Sequence, residues 1–207
     1  MIAKYEFKVT DPKTKNIQTY RLKIERDESC DIDPFECGNV FFHTLHKDYS
    51  GKYPTGYSKD AFAECSEVDD CVKILKKSGY SAAIVRAYIH SGISLTVVNA
   101  NEYPFNDQWD SGTFGILFFK PGEFGRGRQQ PKSIEAFVKS WEDIMAGNVY
   151  GFILERYDME TEWEETDSCW GFVGDDVEGI LYHQPEDIKE ALIQQHPKVF
   201  DTKKKAA

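Results

Sequence analysis

The stretch "VYGFILERYDMETEWEETDSCWGFVG", residues 149–174, decides the fold. Its opening, "VYGFILERY" (149–157), is rich in aromatic and branched apolar residues, and its end, "EETDSCWGFVG" (164–174), mixes polar and apolar ones. Between them "DMETEW" (158–163) is an acidic turn. Two strand-forming runs joined by a short polar connection predict an antiparallel β-hairpin. Alternation along the second strand puts Asp167, Cys169 and Gly171 on one face and Ser168, Trp170 and Phe172 on the other. A near-echo, "NDQWDSGTFG" (106–115), sets Trp109, Asp110, Ser111 and Gly112 side by side ahead of another apolar run. Each stretch crowds a serine, a tryptophan and glycines among carboxylates. Each is therefore either a piece of chemistry or a wall of the sheet.

Outward from that hairpin, "AKYEFKVT" (3–10) and "IQTYRLKIE" (17–25) alternate apolar and polar residues around the turn "DPKTKN", which predicts an opening hairpin within residues 1–26. After the acidic connection "RDESCDIDPFECGN" (26–39), the run "VFFHTLH" (40–46) reads as a strand and "YSGKYPTGY" (49–57) as a loop. Ser66 is placed to cap a helix reaching Ser78, with Glu67, Asp69 and Asp70 at its start, Lys76 and Lys77 at its end and Gly79 beyond. "SAAIVRAYIH" (81–90) and "ISLTVVN" (93–99) read as strands broken at Ser91-Gly92, and the nearly all-apolar "TFGILFF" (113–119) as a central one. Ile134, Phe137, Val138, Trp141, Ile144 and Met145 form one stripe at helical period, with Ser133 as cap and Gly147 as stop. Pro185 opens a last helix, "EDIKEALIQQ" (186–195), which Pro197 ends, leaving 198–207 as a flexible tail. The prediction is one α+β domain over 1–207, with a mostly antiparallel sheet of six to eight strands and about three helices.

Composition agrees with a folded chain: 41% hydrophobic and 14% aromatic residues suffice for a sizeable core. The absence of a long apolar run or a leader-like start predicts a soluble, unexported protein with no membrane contact. Five scattered cysteines predict reduced thiols, as in a cytoplasmic protein. The net charge of −10 is unevenly laid out. Residues 142–187 hold fourteen Asp and Glu against Arg156 alone, whereas residues 1–26 hold seven Lys and Arg against three acids. An acidic segment of that density repels nucleic acid and suits a basic protein surface or a solvated face.

The chemical alternatives each fail a spacing or electrostatic test. Trp-Asp-Ser-Gly invites a serine nucleophile, and His43, an intervening Asp and Ser111 follow the order of a trypsin-like triad. Yet Trp109 stands where that motif has glycine, and no G-x-S-x-G elbow is present. The expectation is structural: Trp109 packs, Asp110 and Ser111 bond turn amides, and Gly112 permits a bend. Cys169 with His90 or His183 as base is disfavoured, because Asp167 and its acidic neighbours raise a thiol pKa. Cys30 and Cys37, or Cys65 and Cys71, are spaced too widely for a structural zinc pair. His43 and His46 would point to opposite faces of a strand. Asp158, Glu160, Glu162, Asp175 and Asp176 lack EF-hand spacing. "GEFGRGRQQP" (122–131) is no Walker loop, and Arg126 and Arg128 read as surface residues. No metal and no cofactor is expected.

The blocks Phe42-His43, His90-Ser91-Gly92, Trp109 to Gly112 with Gly115, Val149 to Gly151 and Asp167 to Phe172 resemble a group of uncharacterised proteins encoded by bacteriophages and plasmids. The likeness spans most of residues 27–175. One departure is Asp107-Gln108, where that group often has Cys-Pro. No reaction is assigned to the group, so the resemblance implies genomic company: a small accessory protein of a mobile element, in the host cell cytoplasm. Joined to the charge layout, it gives a non-enzymatic acidic protein that inhibits a host defence or DNA-handling factor, antirestriction or anti-CRISPR in kind, with nucleic-acid mimicry as one form. Its partner is then a basic surface of a host protein or nucleoprotein complex, without direct nucleic-acid binding. The docking residues would be Glu160, Glu162, Glu164, Glu165, Asp167, Asp175, Asp176 and Glu178. The rival is a small hydrolase with Ser111, His90, Asp110, Ser168 and Cys169 around one pocket walled by Trp109 and Trp170. A third reading is a structural or assembly protein of the element.

Overall fold

The computed structural model describes residues 2–30, 32, 38–65, 67–98, 104–105, 109–174 and 177–200. In chain order the elements are β1 (Ala3–Thr10), β2 (Ile17–Arg26), β3 (Val40–Thr44), a 3₁₀ turn (Lys59–Phe62), α1 (Val68–Lys77), β4 (Ser81–Ile89), β5 (Ile93–Val98), β6 (Ser111–Phe119), α2 (Gln129–Met145), β7 (Val149–Asp158), β8 (Glu162–Val173), α3 (Val177–Tyr182), α4 (Glu186–Gln195) and α5 (Pro197–Phe200). The fold is α+β, with the eight strands divided between two antiparallel four-stranded sheets. The chain forms two compact units, Met1–Asp31 with Gly147–Ala207, and Ile32–Ala146.

In the first unit the strand order is β1-β2-β7-β8. Tyr5 pairs with Leu22 and Leu22 with Leu154, so alternate residues of successive strands share one face. Phe7, Leu22, Phe152, Leu154 and Phe172 are buried on it together with Ile188 and Leu192 of α4 and Phe200 of α5. The hairpin 149–174 forms as the sequence predicts, but with a tighter turn, since both strands run into the expected loop and leave Met159–Thr161 as its tip.

Two β-bulges revise the reading of β8. Leu154 pairs with Asp167 while Glu155 pairs with Glu165, so Thr166 is an extra residue; Gly151 pairs with Trp170 while Tyr150 pairs with Phe172, so Gly171 is another. Gly171 sits at φ 90°, which its missing Cβ permits. The second bulge turns Phe172 onto the face of Cys169, where it is buried, instead of leaving it beside Ser168 and Trp170 as plain alternation predicts. Trp170 lies flat over Gly151: a Cβ there would stand 2.1 Å from its ring carbon Cε3.

The C-terminal end also differs from expectation. Pro197 starts α5 instead of ending the helical region, because proline is tolerated in a first helical turn. Phe200 is 1% exposed in the core, so Lys198–Phe200 belong to the fold and not to a tail. The remainder of the predicted tail, 201–207, lies outside the described residues.

In the second unit the order is β3-β6-β4-β5, and β6 is internal as its apolar run predicts. Leu117 and Phe119 pack with Ile134, Val138 and Trp141 of α2, whereas Ile116 and Phe118 pack with Cys71 and Leu75 of α1. Burial on both faces explains the nearly unbroken hydrophobicity of β6. Gly115 is where Phe42 of β3 crosses β6; a Cβ would stand 2.3 Å from Phe42 Cζ and 2.4 Å from the His43 carbonyl oxygen.

Helix α2 begins at Gln129, earlier than predicted, so the end of the arginine loop is its first turn and Pro131 sits where no intrahelical N–H bond is required. Ser133 is consequently inside the helix, its hydroxyl donating to the Gln129 carbonyl at 3.2 Å, and is not the cap. Gly147, at φ 69°, follows the helix end. The N-cap position of α1 is held by Glu67 without a side-chain bond; the expected cap Ser66 lies outside the described residues.

Candidate functional site

The first unit carries twenty acids against thirteen bases, or −7 of the total −10. Its negative charge concentrates on β8, the outer strand, where Glu162, Glu164, Glu165 and Asp167 are all exposed. The Thr166 bulge governs their arrangement. Glu162, Glu164 and Asp167 pair with Asp158, Arg156 and Leu154, so all three lie on one face of the strand. Trp163, Glu165, Ser168 and Trp170 lie on the other.

Glu164 bonds Arg156 at 3.0 Å, and Glu165 accepts the Ser168 hydroxyl at 2.8 Å. Among the described residues, Glu160, Glu162, Glu165, Asp167 and Glu178 make no ion pair. Glu160 is in the turn, which Asp158 organises by accepting the Glu160 N–H at 2.8 Å; that bond and the one from Thr161 hold its carboxyl below the ordinary aspartate value. Met159, at the tip, is 94% exposed, and Glu178 is exposed on α3. Asp175 and Asp176 lie outside the described residues.

Other acids of the 142–187 block have internal duties that the sequence does not mark. Glu155 is buried and bonds both Arg21 and Lys23, the latter at 2.7 Å, while the Arg21 guanidinium stacks 4.1 Å over Trp163. Burial alone would raise the Glu155 pKa, but the bonds and charges of Arg21 and Lys23 outweigh it and hold it below the usual value. Glu142 and Asp143 pair with Lys139 on α2, and Glu186 pairs with Lys189 at 3.3 Å.

The opposite edge of this sheet is covered at its middle. Gln195, ending α4, donates to the Lys8 carbonyl at 2.7 Å and accepts the Lys8 N–H at 3.0 Å, and His196 Nε2 donates to the Glu6 carbonyl at 2.9 Å. Side chains thus satisfy the Lys8 N–H and the Lys8 and Glu6 carbonyls of β1 as a neighbouring strand would.

The second unit holds a cleft of about 290 Å³ with His46, Asp48, Trp109, Asp110, Ser111 and Phe114 among its walls. His90 Nδ1 lies 2.9 Å from Asp110 Oδ2, and His46 Nδ1 accepts the Asp48 N–H at 3.3 Å. Two expectations for the Trp-Asp-Ser-Gly stretch are corrected. Trp109 is 95% exposed rather than packed, because it precedes β6 and lies outside the two-sided core. Gly112 is not a required bend: its φ is not positive, and a Cβ there meets nothing within 4 Å. A histidine–carboxylate pair beside a serine is the base half of a nucleophilic triad, yet the His90 side chain is 67% exposed to competing water.

Ser168 and Cys169 belong to the other unit. Cys169 packs half-buried against the core of its sheet, with Sγ 3.9 Å from the Trp170 carbonyl oxygen. His43 is buried, stacked on Phe62 at 4.1 Å with Nδ1 2.9 Å from the Tyr53 hydroxyl. Burial and the nearby charge of Lys59 depress its pKa to about 4. The described cysteines, Cys30, Cys65, Cys71 and Cys169, are free thiols, and Cys37 lies outside the described residues. Burial, with help from Cys65, pushes the Cys71 thiol up to about 12. Among the described residues no group of three or more His, Cys, Asp or Glu side chains could hold a metal ion. Arg126 and Arg128 are exposed, Arg128 at the start of α2.

Neither family models, curated proteins nor solved structures match this chain. Among the described residues no helix is long and apolar enough to cross a membrane.

Proposed function

We propose that this is a non-enzymatic docking protein whose acidic β7–β8 hairpin binds a cationic protein surface. The observation that carries the reading is the outermost strand itself, with four exposed carboxylates, of which Glu162, Glu165 and Asp167 have no cation among the described residues. Complementary charge steers association and selects partners. Combined with the resemblance to proteins of mobile elements, the partner is a basic surface of a host defence or DNA-handling factor in the cytoplasm, and nucleic acid itself is repelled.

Pull-down from the natural host tests this. The tagged protein captures a defined basic protein at low ionic strength, and capture falls steeply as salt rises through the physiological range. The Glu162→Lys, Glu164→Lys, Glu165→Lys triple variant loses it. Capture that survives both salt and charge reversal refutes the reading.

The His90–Asp110 pair, whose aspartate lines the cleft together with Ser111, favours a second reading, a small hydrolase with Ser111 as nucleophile. It requires turnover of an activated ester that Ser111→Ala and His90→Ala abolish, and unchanged turnover in those variants removes it.

A further inference from the structure

We propose that β8 binds its partner by strand addition, taking up an extended segment with Lys or Arg at alternate positions. This rests on the acidic hairpin being the docking surface and adds the mode and the chemistry of the occupant. The first support is the contrast between the two edges of one sheet. The β1 edge is covered at Glu6 and Lys8 by His196 and Gln195, whereas β8 pairs with β7 alone among the described residues. At 12 residues, β8 is also long for an outer strand, and its bulges at Thr166 and Gly171 bend it while leaving it without a second strand partner among the described residues.

The second support is the placement of charge. In a paired strand, side chains at i, i+2 and i+4 face the same way as their cross-strand neighbours. Glu162, Glu164 and Asp167 have irregular sequence spacing, but the Thr166 bulge returns Asp167 to the face of the first two. These three carboxylates, of which Glu164 already bonds Arg156, therefore face every second position of an incoming strand. On the other face Trp170, 45% exposed, offers aromatic surface for the intervening side chains, while Trp163 already carries the Arg21 guanidinium. A second copy of this chain is the wrong occupant, since two β8 edges would set acid against acid.

The probe is an acetylated, amidated octapeptide alternating lysine with threonine or valine. Two further versions are N-methylated at every second residue, each blocking the backbone donors of one edge while keeping all charges. The lysine peptide binds, at least one methylated version binds at least tenfold more weakly, and amide exchange slows along Glu162–Trp170. Binding of both methylated versions as tight as that of the lysine peptide, or no binding of the lysine peptide, overturns strand addition. Self-association through β8 in sedimentation overturns the choice of occupant. The acidic-docking reading is judged separately, by whether the Glu162→Lys, Glu164→Lys, Glu165→Lys variant still captures the host protein.

Discussion

Replacing Gly115 with alanine tests the account of the second unit most directly. Where space exists, glycine to alanine in a strand stabilises by about 0.5–1 kcal/mol, because alanine has less freedom to lose on folding. Here the added Cβ stands 2.4 Å from the His43 carbonyl oxygen and 2.3 Å from Phe42 Cζ. Ordinary van der Waals contact begins about 1 Å further out. Phe42 cannot yield easily, since it is 1% exposed and meets Trp141 edge-on with centroids 4.8 Å apart. The carbonyl moves only if β3 lifts from β6, and each ladder hydrogen bond lost costs about 1 kcal/mol net. Overpacking adds ~1–3 kcal/mol, so with one such bond lost the expected destabilisation is about 2–4 kcal/mol. Gly151→Ala is the internal control. The three atoms nearest its Cβ all belong to the ring of Trp170, a side chain of a 45% exposed residue rather than backbone, so the expected cost is about 1 kcal/mol. Because two compact units can unfold separately, the assay is native-state amide exchange at β6 and β7 alongside urea denaturation. A Gly115→Ala protein within about 0.5 kcal/mol of the parent, or a costlier Gly151→Ala, refutes the packing argument.

His43 stays neutral in the folded protein down to about pH 4, whereas an unfolded histidine protonates near pH 6.5. Its contribution to stability is therefore complete above the unfolded value and is lost as pH falls toward about 4; an NMR titration midpoint above 6 contradicts this. Glu155 has a depressed pKa, so its pairing with Arg21 and Lys23 stabilises above the ordinary glutamate range and is lost on acidification. Glu155→Gln should flatten that part of the thermal-stability profile, and an unchanged acid limb counts against the buried cluster. Cys71, with its thiol near 12, should resist iodoacetamide at pH 8 in the native state while reacting once unfolded. Labelling of native Cys71 as fast as that of Cys30 rejects its burial.

Much of the fold was legible because the hydrophobic period is strong where both faces or one stripe are buried. Ile134, Val138 and Trp141 announced α2, the run through Ile116–Phe119 announced an internal strand, and 149–174 announced a hairpin. The errors have local physical causes. Alternation fails at Gly171 because a single residue with positive φ shifts every later side chain by one face. Trp109 reads as core by size, yet it falls just before the strand that would bury it. Among the acids, Glu155 looks like part of the negative surface but is the counter-ion of Arg21 and Lys23, more than a hundred residues away in sequence. Gln195 is merely the last residue of the predicted helix 186–195, and only the folded chain brings it and His196 to Lys8 and Glu6.

The cover that Gln195 and His196 lay over Glu6 and Lys8 limits how far any assembly can grow. A sheet with two unprotected sides can be extended from both and so propagates into fibres. With the middle of β1 taken by its own helix terminus, an added strand there would have to displace those bonds, so β8 is the more receptive side. Complexes through β8 should accordingly stop at one partner per molecule, which lets the chain keep a long receptive strand without polymerising.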